Sequence, residues 1–418
     1  MKRFGRSAAI LTAALLVAGF GLDRSASVAS AAQATSVIVV LRDGVDPQQA
    51  AADHRARHGA EVSYVYGAAL RGYAARIPAN ALAGIARDPR VAFISEDNAV
   101  WATDEIPTGI DRIDAEQGSR AGVNDGGPAV AVIDTGSGPH SELNIVGGTN
   151  CSNGRPSNFS DGNGHGTHVA GTIAAKVDNG GVVGVLPGAP IYSVRVLNNQ
   201  GSGSWSSVVC GIDWVTARAA TIKVANMSLG GTGSDDGNCG YSNNDALHRA
   251  ICGSVAAGVT YVVAAGNSAA DLKDFVPAAY DEVLAVTAMS DGNGAPGGGL
   301  PPTCRTGETD DAPATFSNFA TTAADQAHTI AAPGVCIKST WKGGGYNTIS
   351  GTSMASPHAA GTVARCIGSG ACTGTPLSII ETVRTDASLQ APAYGFTGDA
   401  HQTSGAKYYG YLIYAGGY

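Results

Sequence analysis

The sequence predicts an α/β protein with a parallel sheet covered on both faces, preceded by a small α+β module. Two patterns point to it. From about Ile106, apolar strand-like runs alternate with helical segments, as in chains whose crossover helices cover a sheet. Ahead of them, residues 36–97 read βαββαβ, the order of a ferredoxin-like unit. Composition agrees: 44% of the 418 residues are hydrophobic and 14% charged, which excludes a disordered chain. A net charge of −8 argues against nucleic acid as a partner.

The chain opens with Lys2, Arg3 and Arg6, an apolar run from Ala8 to Leu22, and the small residues Ala29-Ser30-Ala31. This is the pattern of a removable secretion signal. The run is short for a membrane span, and no other stretch is long enough to be one. In the module that follows, "SVIVVL" is a strand and "DPQQAAADHRARHG" a helix running from Asp46-Pro47 to Gly59. "EVSYVY" and "GYAARI" alternate like paired strands, "PANALAGIARD" is a second helix, and "VAFISED" closes the unit.

In the larger region the predicted strands are "AVAVIDTG", "IYSVRVL", "IKVANMSLGG", "VTYVVAAGN" and "VLAVTAM". The helices between them are "HGTHVAGTIAA", "SSVVCGIDWVTARAA" and "NDALHRAICGSVAAG". Ligands of such sheets bind beyond the carboxyl ends of the strands, where Asp134 and Asn267 both fall. Residues 290–315 are rich in Gly and Pro and read as a long surface loop.

Eight cysteines, with no CxxC spacing, suit an oxidising compartment and four disulfides. Sequence alone leaves about 105 pairings open. Proximity favours Cys366/Cys372 and Cys239/Cys252, then Cys304/Cys336, then Cys151/Cys210.

Three segments carry the chemistry. Asp134 ends its strand in "VIDTGSG", His165 starts a helix in "DGNGHGTHVAGT", and Ser353 lies in "SGTSMASPHAAG". Pro357 belongs near the start of a helix, so Ser353 is placed at that helix's N-terminus, where free N–H groups favour negative charge. Taken singly, Ser353 is an N-cap and Asp134 a strand-end cap. Together, an acid, an imidazole and a hydroxyl are what nucleophilic acyl transfer needs.

These motifs resemble those of the subtilisin-like serine proteases (subtilases), of the secreted subtilisin and proteinase K type, almost letter for letter. The order Asp…His…Ser is also theirs. The resemblance implies a three-layer fold with a central parallel sheet, and a division into a signal (1–31), an inhibitory propeptide (32–102) and a catalytic domain (103–418). It implies a secreted, self-processing endopeptidase, cut near Ala102–Thr103, that favours hydrophobic residues before the scissile bond. Its partners would be polypeptide substrates and its own propeptide, with no membrane contact after signal removal and a monomeric state.

The resemblance also assigns roles. Asn267, with the Ser353 backbone N–H, would form the oxyanion hole. Gly201, Ser202, Gly203 and Trp205 would form one wall of the substrate groove, and Ser228, Leu229, Gly230 and Gly231 the other. Ala264, Ala265 and Gly266 would complete the first pocket, and Trp205 would line the fourth. Asp104, Glu142 and Asp178 match ligand-bearing places of a structural calcium site. No cofactor is expected for the chemistry. His168 and His358 read as structural, since the HExxH metalloprotease pattern is absent. The loop 290–315, with Cys304 and the acidic run Glu308 to Asp311, departs from the simplest members.

Two rivals remain: an inactive relative that only binds protein, and an α/β-hydrolase esterase. The first is opposed by a complete triad. The second would need a GxSxG elbow and the order Ser…Asp…His, which "GTSMA" with its serine last does not supply.

Overall fold

The computed structural model describes residues 34–97, 103–117, 127–152, 154–178, 180–403 and 405–418. The signal segment 1–31 and Ala102 at the expected cut lie outside them. The chain divides into two compact units, residues 1–100 and 101–418.

In the first unit, strands run in the order Glu61–Tyr66, Gly72–Pro78, Ala34–Leu41, Val91–Glu96, each antiparallel to its neighbour. The helix Pro47–His58 starts where expected: Asp46 accepts the N–H groups of Gln48 and Gln49, and Pro47 sits in the first turn. It ends at Gly59, whose φ of 68° suits glycine. With the helix Ala79–Ala86, it covers a core of Val37, Val39, Tyr73, Ile77, Ile85 and Val91.

The second unit is built on an eight-stranded sheet. Its strands run in the order 312–313, Leu284–Ser290, Thr260–Ala264, Ile222–Met227, Ala129–Asp134, Ile191–Arg195, Ile145–Asn150, and Thr329–Pro333 also pairs with Leu284–Ser290. All these pairings are parallel except that of 312–313. Side-chain alternation explains why the central strands are apolar throughout. Val130, Val132, Val224, Val262 and Val286 face one core, shared with Val169, Ile173, Ala359 and Val363. Ala131, Ile133, Ala225, Val263 and Ala285 face the other, shared with Val208, Ile212, Leu247 and Ile251. Apart from the half-buried Lys223, the residues of these strands are therefore buried from one side or the other.

The helix Thr352–Ser369 is buried almost throughout its first fourteen positions. Its N-cap is Gly351, so Ser353 is the second helical residue and not the cap. Pro357 lies inside this helix, deeper than the sequence suggested. Proline has no N–H to offer the Ser353 carbonyl one turn back, and the Ser228 hydroxyl donates to that carbonyl instead, at 2.8 Å. The break in the helix ladder thus ties it to the Ser228 loop.

The segment 290–315 also differs from expectation. Glu308, Asp310 and Asp311 are buried, although they were read as part of a surface loop. Asp310 accepts the N–H groups of Gly292 and Leu300, Asp311 those of Gly297 and Gly298, and Glu308 that of Thr315. A coil without strand partners must find acceptors for its N–H groups, and these carboxylates supply them. Asp311 also pairs with the buried Arg112 at 2.8 Å. All four cysteine pairs favoured by proximity are disulfides: Cys151–Cys210, Cys239–Cys252, Cys304–Cys336 and Cys366–Cys372.

Candidate active site

Asp134 is the last residue of its strand, with no side-chain exposure, and His165 is the first residue of the helix His165–Ala174. The two meet: His165 Nδ1 lies 2.8 Å from Asp134 Oδ1 and 3.0 Å from Oδ2. The Thr135 N–H adds a third hydrogen bond to the carboxylate. Since the carboxylate accepts, Nδ1 carries the proton and Nε2 is left with the lone pair. The contact needs glycine beside it. A Cβ at Gly166 would lie 2.0 Å from the Gly136 carbonyl and 3.1 Å from Asp134.

The helix is anchored by Asp161, which sequence reading passed over. Its Oδ1 accepts the N–H groups of Asn163 and Gly164 and the Thr135 hydroxyl, and its Oδ2 accepts the Thr167 N–H and hydroxyl. An acid four residues ahead of a helical histidine is the signal that would have found it. Electrostatics follow from these neighbours. Burial disfavours the imidazolium, but the charge and hydrogen bond of Asp134, with the charge of Asp161, outweigh it and raise the His165 pKa. One helical turn on, His168 has only carbonyl partners, Ile337 O at 2.9 Å and Asn347 O at 3.2 Å. Burial pushes its pKa down to about 3. His358, bonded to Met354 O, is likewise buried, with a pKa pushed down to about 4.

His165 opens on a groove. One wall is Gly201, Ser202, Gly203 and Trp205, and the other Ser228, Leu229 and Gly230, with Thr135, Asn163, Leu197, Ser204 and Val208 also lining it. Trp205 is 39% exposed, so it is no core residue. A Cβ at Gly231 would lie 2.9 Å from the Trp205 ring, which places Gly231 behind that ring. Ala264, Ala265 and Gly266, expected to complete the first pocket, are buried beside the exposed Asn267. Ala264 ends its strand, and a Cβ at Gly266 would strike Asn318 and Phe275, so glycine is required there.

Ser353 is joined to the Ser228 wall from both ends. Its carbonyl accepts from Ser228 Oγ, and its own Oγ donates to Ser228 O at 3.3 Å. Among the described residues no hydrogen bond links Ser353 Oγ to His165. Asn226 supports this wall through Ser228 Oγ and Ser356 Oγ. Asn267 is exposed, and its Oδ1 accepts both the backbone N–H and the hydroxyl of Thr352, at 2.8 and 2.9 Å. That pins the carbonyl end of the amide and leaves Nδ2 as the donor free to act.

The acids matched to calcium lie around one short strand, Gly180–Val182. The strand Thr103–Glu105 pairs with it in parallel, setting the Asp104 backbone beside Gly181; the Asp104 side chain lies outside the described residues. Glu142 is buried, with Oε2 accepting the Val182 N–H at 3.2 Å and Oε1 meeting the Tyr346 hydroxyl. Asp178 is exposed, two residues ahead of the strand. Glu142 is the acid whose contacts at this strand are described, and Tyr346 engages both it and the Gly180 carbonyl.

Comparison with known proteins agrees with this geometry. The Subtilase family matches residues 125–403. The chain belongs to the subtilase family. Ahead of that match, residues 36–102 match the Peptidase inhibitor I9 family. Alkaline elastase YaB from Bacillus sp. (strain YaB) is 39% identical over 277 residues, 66% of this chain and 64% of that protein. An alkaline protease from Shouchella clausii is 38% identical over 278 residues, with the same coverage. The chain thus spans about two thirds of the length of these relatives. Subtilisin DY from Bacillus licheniformis is 37% identical over 263 residues, 62% of this chain and 83% of that protein. Among solved structures, a cold adapted subtilisin-like serine proteinase superposes with a TM-score of 0.56 at 33% identity. The superposition covers 74% of this chain and 97% of that one. The fold is subtilisin-like, with an I9-type unit ahead of the subtilase unit.

Proposed function

We propose that this subtilase is a secreted serine endopeptidase, made as a precursor whose residues 32–102 inhibit it until they are cut away. The observation that carries the reading is the two-oxygen contact between Asp134 and His165 at a groove whose other wall is hydrogen-bonded to Ser353. Ser353 Oγ attacks the scissile carbonyl carbon while His165 Nε2 takes its proton. Asp134 holds the imidazole in the tautomer that leaves Nε2 basic and stabilises the imidazolium that forms. The oxyanion is met by Asn267 Nδ2 and the Ser353 N–H, which is free because it lies in the first turn of its helix. His165 then protonates the leaving amine, and water repeats the sequence on the acyl-enzyme. Because Ser353 Oγ rests on Ser228 O, filling the groove must turn it toward His165 before attack.

The substrate is a polypeptide in extended form, bonded through its main chain between residues 201–205 and 228–231. Glycine-rich walls give such a groove little side-chain selectivity, and Leu229, with Phe275 behind Gly230, favours large hydrophobic residues before the cut. The four disulfides support export to an oxidising compartment. Among the described residues, no helix is long and apolar enough to cross a membrane.

Ser353→Ala tests the central claim. Expressed in a protease-free host, this variant is expected to persist as the full-length precursor, whereas the parent chain yields a mature fragment starting near Thr103. Cutting of the variant near Ala102 would refute self-processing, and proteolysis of casein by it would refute the role of Ser353. We further propose calcium as a structural ligand at the Gly180–Val182 strand, held by Glu142, Asp178 and Asp104; its support is that Glu142 reaches the strand, the Asp104 backbone pairs with it, and Asp178 lies two residues ahead of it in the chain. Chelation of inhibitor-blocked enzyme is then expected to lower its melting temperature by mass action, by several degrees. An unchanged temperature would exclude the ion.

A further inference from the structure

We propose that the subtilase unit holds a second, non-catalytic cation site, for a zinc-like divalent metal, built from His248, Asp235 and Asp236. His248 lies in the helix Ala246–Ala256, with no exposed side-chain surface. Its Nε2 donates to Glu282 Oε2 at 2.8 Å, and the Tyr280 ring stacks on it, parallel to within 1° and 4.0 Å between centroids. Both contacts fix the ring. In the neutral ring they leave the lone pair on Nδ1, which is buried and makes no hydrogen bond of good geometry; without a metal, the three facing carboxylates favour a proton there instead.

That nitrogen is aimed at two carboxylates. Asp236 Oδ1 lies 3.3 Å away and Asp235 Oδ1 3.7 Å. Ligands about 2.1 Å from a tetrahedral ion stand roughly 3.4 Å apart, so the spacing suits a metal between them. A histidine that gives its other N–H to a carboxylate is the usual form of a metal-ligating imidazole. Asp236 is rigid, since its two oxygens accept the N–H groups of Asn238, Gly240, Ser242 and Asn243. Asp235 Oδ1 accepts only the Gly237 N–H, which leaves it the stronger ligand.

The Cys239–Cys252 disulfide fastens the loop carrying both aspartates to the helix carrying His248. Its sulfurs lie near the imidazole but are bonded to each other and cannot serve. Asp235 lines a pocket with Asp274, Asp281, Asp325 and a single cation, Lys273, so its net negative charge draws cations toward Asp235. One imidazole and two carboxylates suit zinc. Calcium, which takes six to eight oxygens, fits poorly.

The test uses the full-length Ser353→Ala chain, which cannot digest itself, titrated with Co²⁺ in calcium-containing buffer. The expected result is one equivalent bound with a tetrahedral cobalt spectrum, displaced by Zn²⁺. Asp235→Asn is expected to weaken binding by about a hundredfold and Glu282→Gln by about tenfold. In the parent enzyme, neither is expected to change peptidase activity. Anomalous diffraction from zinc-soaked crystals keeps the question open to refutation if Asp235→Asn does not fold. A peak beside His248 Nδ1 is expected. No saturable cobalt binding, affinity unchanged in a folded Asp235→Asn chain, or zinc only at other histidines would overturn the proposal, and His248 Nδ1 would then hold a proton against Asp236.

Discussion

His165 and His168 sit one turn apart on the same helix, yet the two sides of that helix make opposite bases of them. The cleft side presents a buried carboxylate to Nδ1 and leaves Nε2 open. The interior side presents two backbone carbonyls and closes the ring in. Desolvation acts on both. Only at His165 do negative charges overcome it, so one pKa rises and the other falls to about 3. An imidazole's chemistry is thus set by which neighbours the fold brings, and a histidine in a motif says little until its partner is known.

Removing the partner should break the contrast. Asp134→Asn keeps the shape but loses the charge and can hold the wrong tautomer. We expect kcat to fall by about 10⁴-fold. The sign of the accompanying pH effect is fixed by the same contact. In the proposed mechanism His165 must be neutral to take a proton, so its raised pKa should place the acid limb of kcat/KM above the ordinary histidine value of 6.5. Asp134→Asn should move that limb to lower pH. A pH–rate profile of residual activity checks this, and a limb that stays in place would mean that Asp134 does not set the His165 pKa.

Much of this contrast was legible in sequence, and the illegible part has a physical cause. Asp134, His165 and Ser353 could be found because each lies at an element boundary marked by glycines and by strand or helix periodicity. Thr135 and Asn226 act through hydrogen bonds across the chain, and no local pattern reports those, whereas Asp161, bonded mainly to the turn just after it, lay within reach of a local reading. The acidic run Glu308 to Asp311 looked solvated because its partners, the N–H groups of Gly292 to Gly298 and the guanidinium of Arg112, come into range only on folding.

A smaller effect sharpens the contrast by leaving both histidines untouched. Asn267→Ala removes the proposed oxyanion donor, and the loss should be about 10²–10³-fold in kcat, with KM little changed. The acid limb should stay where it was, since Asp134 still faces His165. A shift of that limb as large as the one in Asp134→Asn would show that Asn267 acts through the imidazole rather than on the substrate.

The smallest change in activity is expected on the interior side. His168→Gln keeps a donor for Ile337 O and Asn347 O, so kcat/KM and its acid limb should stay within about twofold, for lack of any contact with the reacting atoms. Its effect should appear in acid stability. The unfolded chain protonates His168 near 6.5, whereas the folded chain resists until about 3, so the unfolded state binds more protons between those values. The stability contributed by keeping His168 neutral is therefore complete above about pH 6.5 and is lost as pH falls toward 3. Glutamine does not titrate, and the variant should lose less stability than the parent across that window. Denaturant unfolding of inhibitor-blocked protein at pH 7 and pH 4 measures the difference. Equal losses in both proteins would show that His168 does not contribute to acid sensitivity, leaving as its histidine sources His328 and His358, whose burial depresses their pKa values to about 4, and His140, whose burial also lowers its pKa.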